Sequence, residues 1–134
     1  MPGSKSDYLE NKLLDHVLGN TAFSAPATVY FALYTVAPSD SGGGTEVSGG
    51  SYARVAVTNN TTNFNAAASG VKRNSTVVTW PTATASWGTV VAVGILDANA
   101  AGNLLFWSTL NTNKTVDNGD TVSIPVNSLT ITED

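Results

Sequence analysis

Leu9, Leu13 and Val17 fall four residues apart, with Leu14 and Leu18 beside them and acids and amides between. That spacing lays one apolar stripe along a helix. Ser6 or Asp7 can cap its first turn, and with Asp7 as the cap Glu10 takes the capping-box position. Gly19 and Asn20 supply a left-handed stop. The pattern therefore predicts an amphipathic helix over 7–18. A helix this short barely persists alone in water, so its stripe has to be buried. The partner is either the chain's own core or another subunit.

Beyond Asn20 the period changes. "TVYFALYTV" (28–36) is aromatic and β-branched, with Pro26 before it and Pro38 after it. "YARVAVT" (52–58) alternates, "STVVTW" (75–80) is stopped by Pro81, and "GTVVAVGILD" (88–97) is apolar on both faces, as a central strand would be. "NLLFWSTL" (103–110), "TVSIPV" (121–126) and "SLTIT" (128–132) follow, separated by turn clusters at 97–103 and 117–120. Short strands at short spacing behind one helix predict an all-β fold, an antiparallel β-sandwich of about seven or eight strands. Its expected extent is 26–134, in a chain long enough for one domain with a single sizeable core.

Composition sharpens this picture. Charged residues make up 12% of the chain, about half the usual share of roughly 25%. Lys5, Asp7, Glu10, Lys12 and Asp15 crowd into the first 16 residues, leaving Thr, Ser, Asn and Gly to solvate the rest. Such a surface titrates little and suits β-structure exposed to changing salt and pH. Net charge is −4, and past the helix the basic residues are Arg54, Lys72, Arg73 and Lys114. Nucleic-acid binding needs several bases on one face, so it is not expected. No apolar run approaches the ~18 residues of a membrane span, so no membrane partner is expected. The N-terminal segment lacks the apolar core of a secretory signal, and synthesis in a cytoplasm is expected. Without cysteine there are no disulfides or thiolate metal sites. Asn-X-Ser/Thr triplets at Asn59, Asn60, Asn74 and Asn113 read as by-products of a Thr/Asn-rich chain.

"GTEVSGGS" (44–51) imitates a phosphate-binding loop, with Gly50 where the lysine belongs. Such a loop needs that lysine and a helix directly after it. Here the next base is Arg54 and the following run is a β-former. The stretch is predicted to be a mobile connection between strands, with Pro38, Asp40 and five glycines supplying its turns.

The segments "YLENKLLDHVLGNTAFSAPATVYFALYT", "GGGTEVSGGSYAR", "WPTATASWGTVVAVGI" and "GNLLFW" resemble, in that order, a family of short structural proteins of tailed bacteriophages. Members are labelled tail fibre or minor virion proteins, and some look like head decoration proteins. The resemblance runs from Tyr8 to about Thr132 and implies a non-catalytic virion component, with no catalytic residues to transfer. It also implies partners: other virion proteins and copies of the chain itself, a trimer being favoured because heads and fibres offer three-fold sites. The helix stripe of Leu9, Leu13, Leu14 and Val17 is the candidate assembly contact.

His16, on the helix, reads as part of a solvated face, and alone it supports neither a serine triad nor a transition-metal site. Glu46, Asp97, Asp117 and Asp120 are the carboxylates from which a glycosidase pair or a Ca²⁺ site would be drawn. All four lie in turn-like sequence, where acids usually bond their own backbone, and EF-hand spacing is missing. Asp117 to Asp120 is predicted to be a hairpin turn. Neither catalytic residues nor a cofactor nor a metal is assigned. A glycan-binding module is the rival reading. Trp80 and Trp107 lie in apolar strands and are expected in the core, whereas Trp87, between Ser86 and Gly88, is expected at the surface. Trp87 with Tyr52 is thus the candidate contact for a host glycan.

Overall fold

The computed structural model describes residues 4–133. Asp134, the last residue of the predicted sandwich segment, lies outside the described residues. The described chain is all-β apart from one helix, and every strand pairing is antiparallel. In chain order the elements are β1 (Ser4–Lys5), α1 (Asp7–Val17), β2 (Thr28–Val36), β3 (Thr45–Glu46), β4 (Val55–Thr58), β5 (Val71–Arg73), β6 (Val78–Thr79), β7 (Gly88–Leu96), β8 (Leu104–Val116), β9 (Ser123–Ile124) and β10 (Thr130–Thr132).

The main sheet runs β1-β8-β7-β2, with β3 and β4 sharing the outer edge of β2. Two small ribbons, β5-β10 and β6-β9, stand apart from it. The sandwich is therefore lopsided, one broad sheet opposed by ribbons and loops. Alternation along β2 shows how the sheet is used. Val29, Phe31 and Leu33 join a large core with Phe64, Val78, Trp80, Ile124 and Leu129. Ala32 and Tyr34 point the other way, into a smaller cluster with Ala92, Leu96 and Leu104. Both faces of β2 and β7 are buried, which is why their sequences are apolar throughout.

Phe31 is fully buried, stacked on Phe64 at 6.4 Å and meeting Trp80 edge-on at 6.5 Å. Trp80 is in the core, as expected, yet its indole N–H has no hydrogen-bond partner among the described residues. The buried Asn74 is fully satisfied: its amide donates to the carbonyls of Thr76 and Pro125 and accepts from the Leu129 amide. That side chain ties the end of β5 to the segment leading into β10, so this Asn-X-Ser/Thr triplet has a structural use.

The helix starts one residue earlier than a capping box at Asp7 would place it. Ser6 is the cap: its Oγ accepts from the Leu9 amide and donates to the Leu104 carbonyl, while its own amide bonds Leu105 O at 2.9 Å. Glu10 thus falls beyond the capping-box position. The helix ends at Val17, and Asn20 holds the left-handed backbone (φ 56°) expected there.

Several strands are shorter than their apolar runs. From 52–58 only Val55–Thr58 pairs, because Tyr52 and Arg54 are used elsewhere. From 75–80 only Val78–Thr79 pairs, and from 121–126 only Ser123–Ile124, ahead of Pro125, which has no N–H to give. Conversely β8 runs past Leu110 to Val116, pairing Lys114 with Val90 and Val116 with Gly88. Asp117 to Asp120 forms a turn, closed by Asp120 N to Asp117 O at 3.0 Å, but not a hairpin. The strand after it, β9, pairs with β6 instead of returning along β8.

Gly94, in the middle of β7, is the place where the second face depends on having no side chain. A Cβ there would lie 2.8 Å from the Tyr34 ring and 3.0 Å from a Leu104 methyl. Both neighbours are buried and cannot swing aside. Gly94→Ala is expected to destabilise the fold by about 1–3 kcal/mol through overpacking. Urea unfolding would check this, and an unchanged midpoint would mean that Tyr34 is free to move.

Candidate functional site

The glycine-rich segment that imitates a phosphate loop is fastened at its far end. Gly50 has φ 56°, and a Cβ on it would meet the Trp87 indole nitrogen at 2.9 Å. No lysine fits that position. Trp87 Nε1 donates to Gly50 O at 2.9 Å, the Thr84 amide donates to the same carbonyl at 3.0 Å, and Ser51 bonds Thr84 through their hydroxyls at 2.8 Å. Glycine is required here by a tryptophan, not by a phosphate.

Trp87 is therefore buried, 4% exposed, and the expectation that it lies at the surface is corrected. Its indole packs edge-on against Tyr52 at 5.4 Å. Tyr52 is half-buried and its hydroxyl is engaged twice, donating to Glu46 Oε2 at 2.6 Å and accepting from the Leu33 amide at 3.0 Å. The two rings form a brace between the loops, with Trp87 buried and Tyr52 half-buried. Trp107, expected in the core, is half-buried and donates to Asp40 Oδ1 at 2.9 Å.

Tyr52 belongs to the densest polar network of the described residues. Arg54 makes a bidentate pair with Glu46, at 2.9 Å from Nε and 2.8 Å from Nη2, and its Nη1 reaches the carbonyls of Ala98 and Ala101 at 2.7 and 2.9 Å. One guanidinium thus joins the edge strand β3 to the loop after β7. Burial alone would raise the Glu46 carboxyl, but the hydrogen bonds from Arg54 and Tyr52 and the guanidinium charge override it and hold it below the usual carboxylate range. Burial, and then the bond to Glu46, push the Tyr52 phenol far above its usual range. The neighbouring Tyr34 phenol is raised as well, by burial first and then by the Glu46 charge.

A carboxyl depressed in the fold contributes stability above its unfolded value and loses it as pH falls through the folded one. A raised phenol contributes below about pH 10 and loses it as pH climbs through the folded value. The melting temperature should thus be level across neutral pH and fall below about pH 4. Glu46→Gln should flatten that acid limb. A limb of the same steepness in the variant would move its origin to other carboxyls.

These groups border a polar cleft of about 640 Å³ on the smaller-cluster face of the sheet, lined among others by Tyr8, Tyr34, Asp40, Gly43, Glu46 and Arg54. Two of its three carboxylates are engaged, and the third, Asp7, is exposed at the start of the helix. Glu46 is held by Arg54 and Tyr52, and Asp40 by Trp107. Of the other acids, Asp97 accepts from the backbone and side chain of Asn103, and Asp120 accepts from the Asp117 amide. A general acid needs a raised pKa, and that of Glu46 is lowered. Among the described residues no group of three or more His, Asp or Glu side chains is placed to hold a metal ion. His16 is exposed, and its Nδ1 accepts from the Phe23 amide at 3.3 Å, helping the chain leave the helix.

The helix stripe divides. Leu9 is buried in the large core and Leu13 packs half-buried against it, whereas Leu14, Val17 and Leu18 are 60, 72 and 79% exposed. The sequence singled out Leu9, Leu13, Leu14 and Val17 together, and the structure separates the first two from the others. Sequence reasoning missed the Arg54–Glu46–Tyr52 network. A partial signal was the two-residue spacing of Tyr52 and Arg54, which puts both side chains on one side of extended chain, while Glu46 reaches them only because the chain turns at Gly49 and Gly50.

The fold is an all-β module in which a polar network of Arg54, Glu46 and Tyr52 braces the loops. Residues 4–132 match the family described as podophage GP4 fiber I protein gp80, and the chain belongs to that family of tailed-phage fibre proteins. None of the curated proteins matches it. The resemblance drawn from the sequence thus holds at the level of a tailed-phage structural family, and of the labels it carried the match bears that of a fibre.

Proposed function

We propose that this chain is a non-enzymatic structural subunit of the phage fibre, made in the host cytoplasm and retained on the virion. The family match across 129 residues, 4–132, carries this reading. Its physical character agrees. The strands bury both faces of β2 and β7, and charged residues are scarce at 12% of the chain. Such a module keeps its shape when salt and pH change outside the cell.

The proposed mechanism is assembly. Copies dock on one another, as a trimer, and on neighbouring virion proteins, each contact burying little while multivalency supplies retention. The exposed half of the helix stripe supports such a contact, because three aliphatic side chains in a row face solvent. A head-decoration role draws no support from the family match. The glycan reading loses one of the two residues it rested on, since Trp87 is buried while Tyr52 is half-buried.

The test is to shear fibres from purified particles, separate them from the remaining heads, and identify the chain by mass spectrometry in each fraction. Enrichment with the fibres is expected. Retention on fibreless heads would overturn the fibre assignment.

A further inference from the structure

Two uncovered apolar features adjoin along the same helix, with Val17 between them, about 60° from the Leu9 and Leu13 pair. At about 100° per residue, Leu14 and Leu18 stand roughly 140° around the axis from Leu9 and Leu13. The first pair, with Val17, forms an exposed plug. The second pair helps line an open apolar groove of about 360 Å³, whose other walls include Phe23, Ala25, Val29 and Ile131.

Charge distinguishes the two surfaces. The plug is flanked by Glu10 and Asp15, both exposed and neither in an ion pair among the described residues. The groove is bordered by Lys72 and Arg73, whose side chains, among the described residues, bond the Asn65 carbonyl and the Thr130 hydroxyl and no carboxylate. The carboxylate on that border, Glu133, is already paired with Lys5. The groove therefore offers apolar walls with unneutralised cations, and the plug offers aliphatic side chains with unneutralised carboxylates.

We propose that the helix plug of one copy seats in the groove of a second copy, with Glu10 and Asp15 facing its Lys72 and Arg73. This rests on the assembly reading above and names the surfaces that would carry it. Plug and groove could also be exchanged reciprocally across a two-fold axis; the contact is taken as head to tail because only that arrangement builds the three-copy ring of the assembly reading. An open chain of copies keeps one free plug at one end and one free groove at the other until a ring closes, and three copies is the closure taken here.

Sedimentation equilibrium on the full chain tests this with two variants. Leu14→Ser/Val17→Ser/Leu18→Ser removes the plug, and Ala25→Glu/Lys72→Glu spoils the groove. The positions changed, Lys72 excepted, are exposed, and circular dichroism would confirm that both variants are folded. The wild type should have three times the monomer mass, and each variant alone should be a monomer. Mixed together, the variants should form a one-to-one dimer and nothing larger, because one sound plug and one sound groove remain. A monomeric wild type at the highest soluble concentration, a variant that keeps its full mass, or a mixture that does not associate would each overturn the proposal. None of these results moves the chain from the fibre fraction, so the fibre reading stands or falls separately.

Discussion

Phe31→Ala should destabilise the fold by about 3–5 kcal/mol. Phe31 sits in an interior strand of the sheet, β2, fully buried, between the stacked ring of Phe64 and the edge of Trp80. Its neighbours belong to different layers: Phe64 and Trp80 come from the segments that oppose the sheet, while Ile95 lies across the β2–β7 ladder. Truncation leaves a cavity that cannot collapse without pulling those layers together, so the loss should lie in the upper part of that range. A chain of this size should then melt on the order of 10–20 °C lower. Phe31→Leu, which keeps most of the volume, should lose far less, roughly 1.5 kcal/mol or under. Unfolding followed by the fluorescence of Trp80 and the other tryptophans would measure both. Equal losses for the two variants would mean that ring packing at this position is not what joins the layers.

Arg54→Met should destabilise the fold by about 2–4 kcal/mol, less than for a fully enclosed pair because the Glu46 side chain keeps some contact with water. The effect comes from what is left behind. Glu46 would remain half-buried with a single strong donor, Tyr52, and the carbonyls of Ala98 and Ala101 would lose theirs. Arg54→Lys should not restore the loss, since one ammonium cannot donate to both carboxylate oxygens and two carbonyls in the fixed geometry of a guanidinium. Adding Glu46→Gln to Arg54→Met should recover part of it by removing the stranded charge. A double variant as unstable as the sum of the two singles would show that the three groups do not act as a unit.

The main features of the fold were written in local patterns. β2 and β7 are legible because burial on both faces demands continuous apolar sequence, and α1 because its cap and stop residues bracket a four-residue repeat. Other features left no such trace. β1 is Ser4–Lys5, held by backbone pairing with Phe106 and Trp107, and pairing alone carries no hydrophobic signal. The end of β8, from Asn111 to Thr115, is exposed and polar although it extends the ladder. Trp87 was misplaced because its neighbours Ser86 and Gly88 resemble a turn. Its burial depends on Gly50 and Tyr52, more than thirty residues away in the chain. The split of the helix stripe was equally hidden, since the repeat gives the spacing of Leu9 and Val17 but not how far the sheet reaches beneath them.

The most direct test of the account is immunogold electron microscopy of intact particles, with an antibody raised against this chain. The account predicts gold at the tail, on the fibres, and bare capsids. Gold spread over the capsid would make the chain a head protein and contradict the fibre assignment, and particles without gold would contradict a place on the virion altogether.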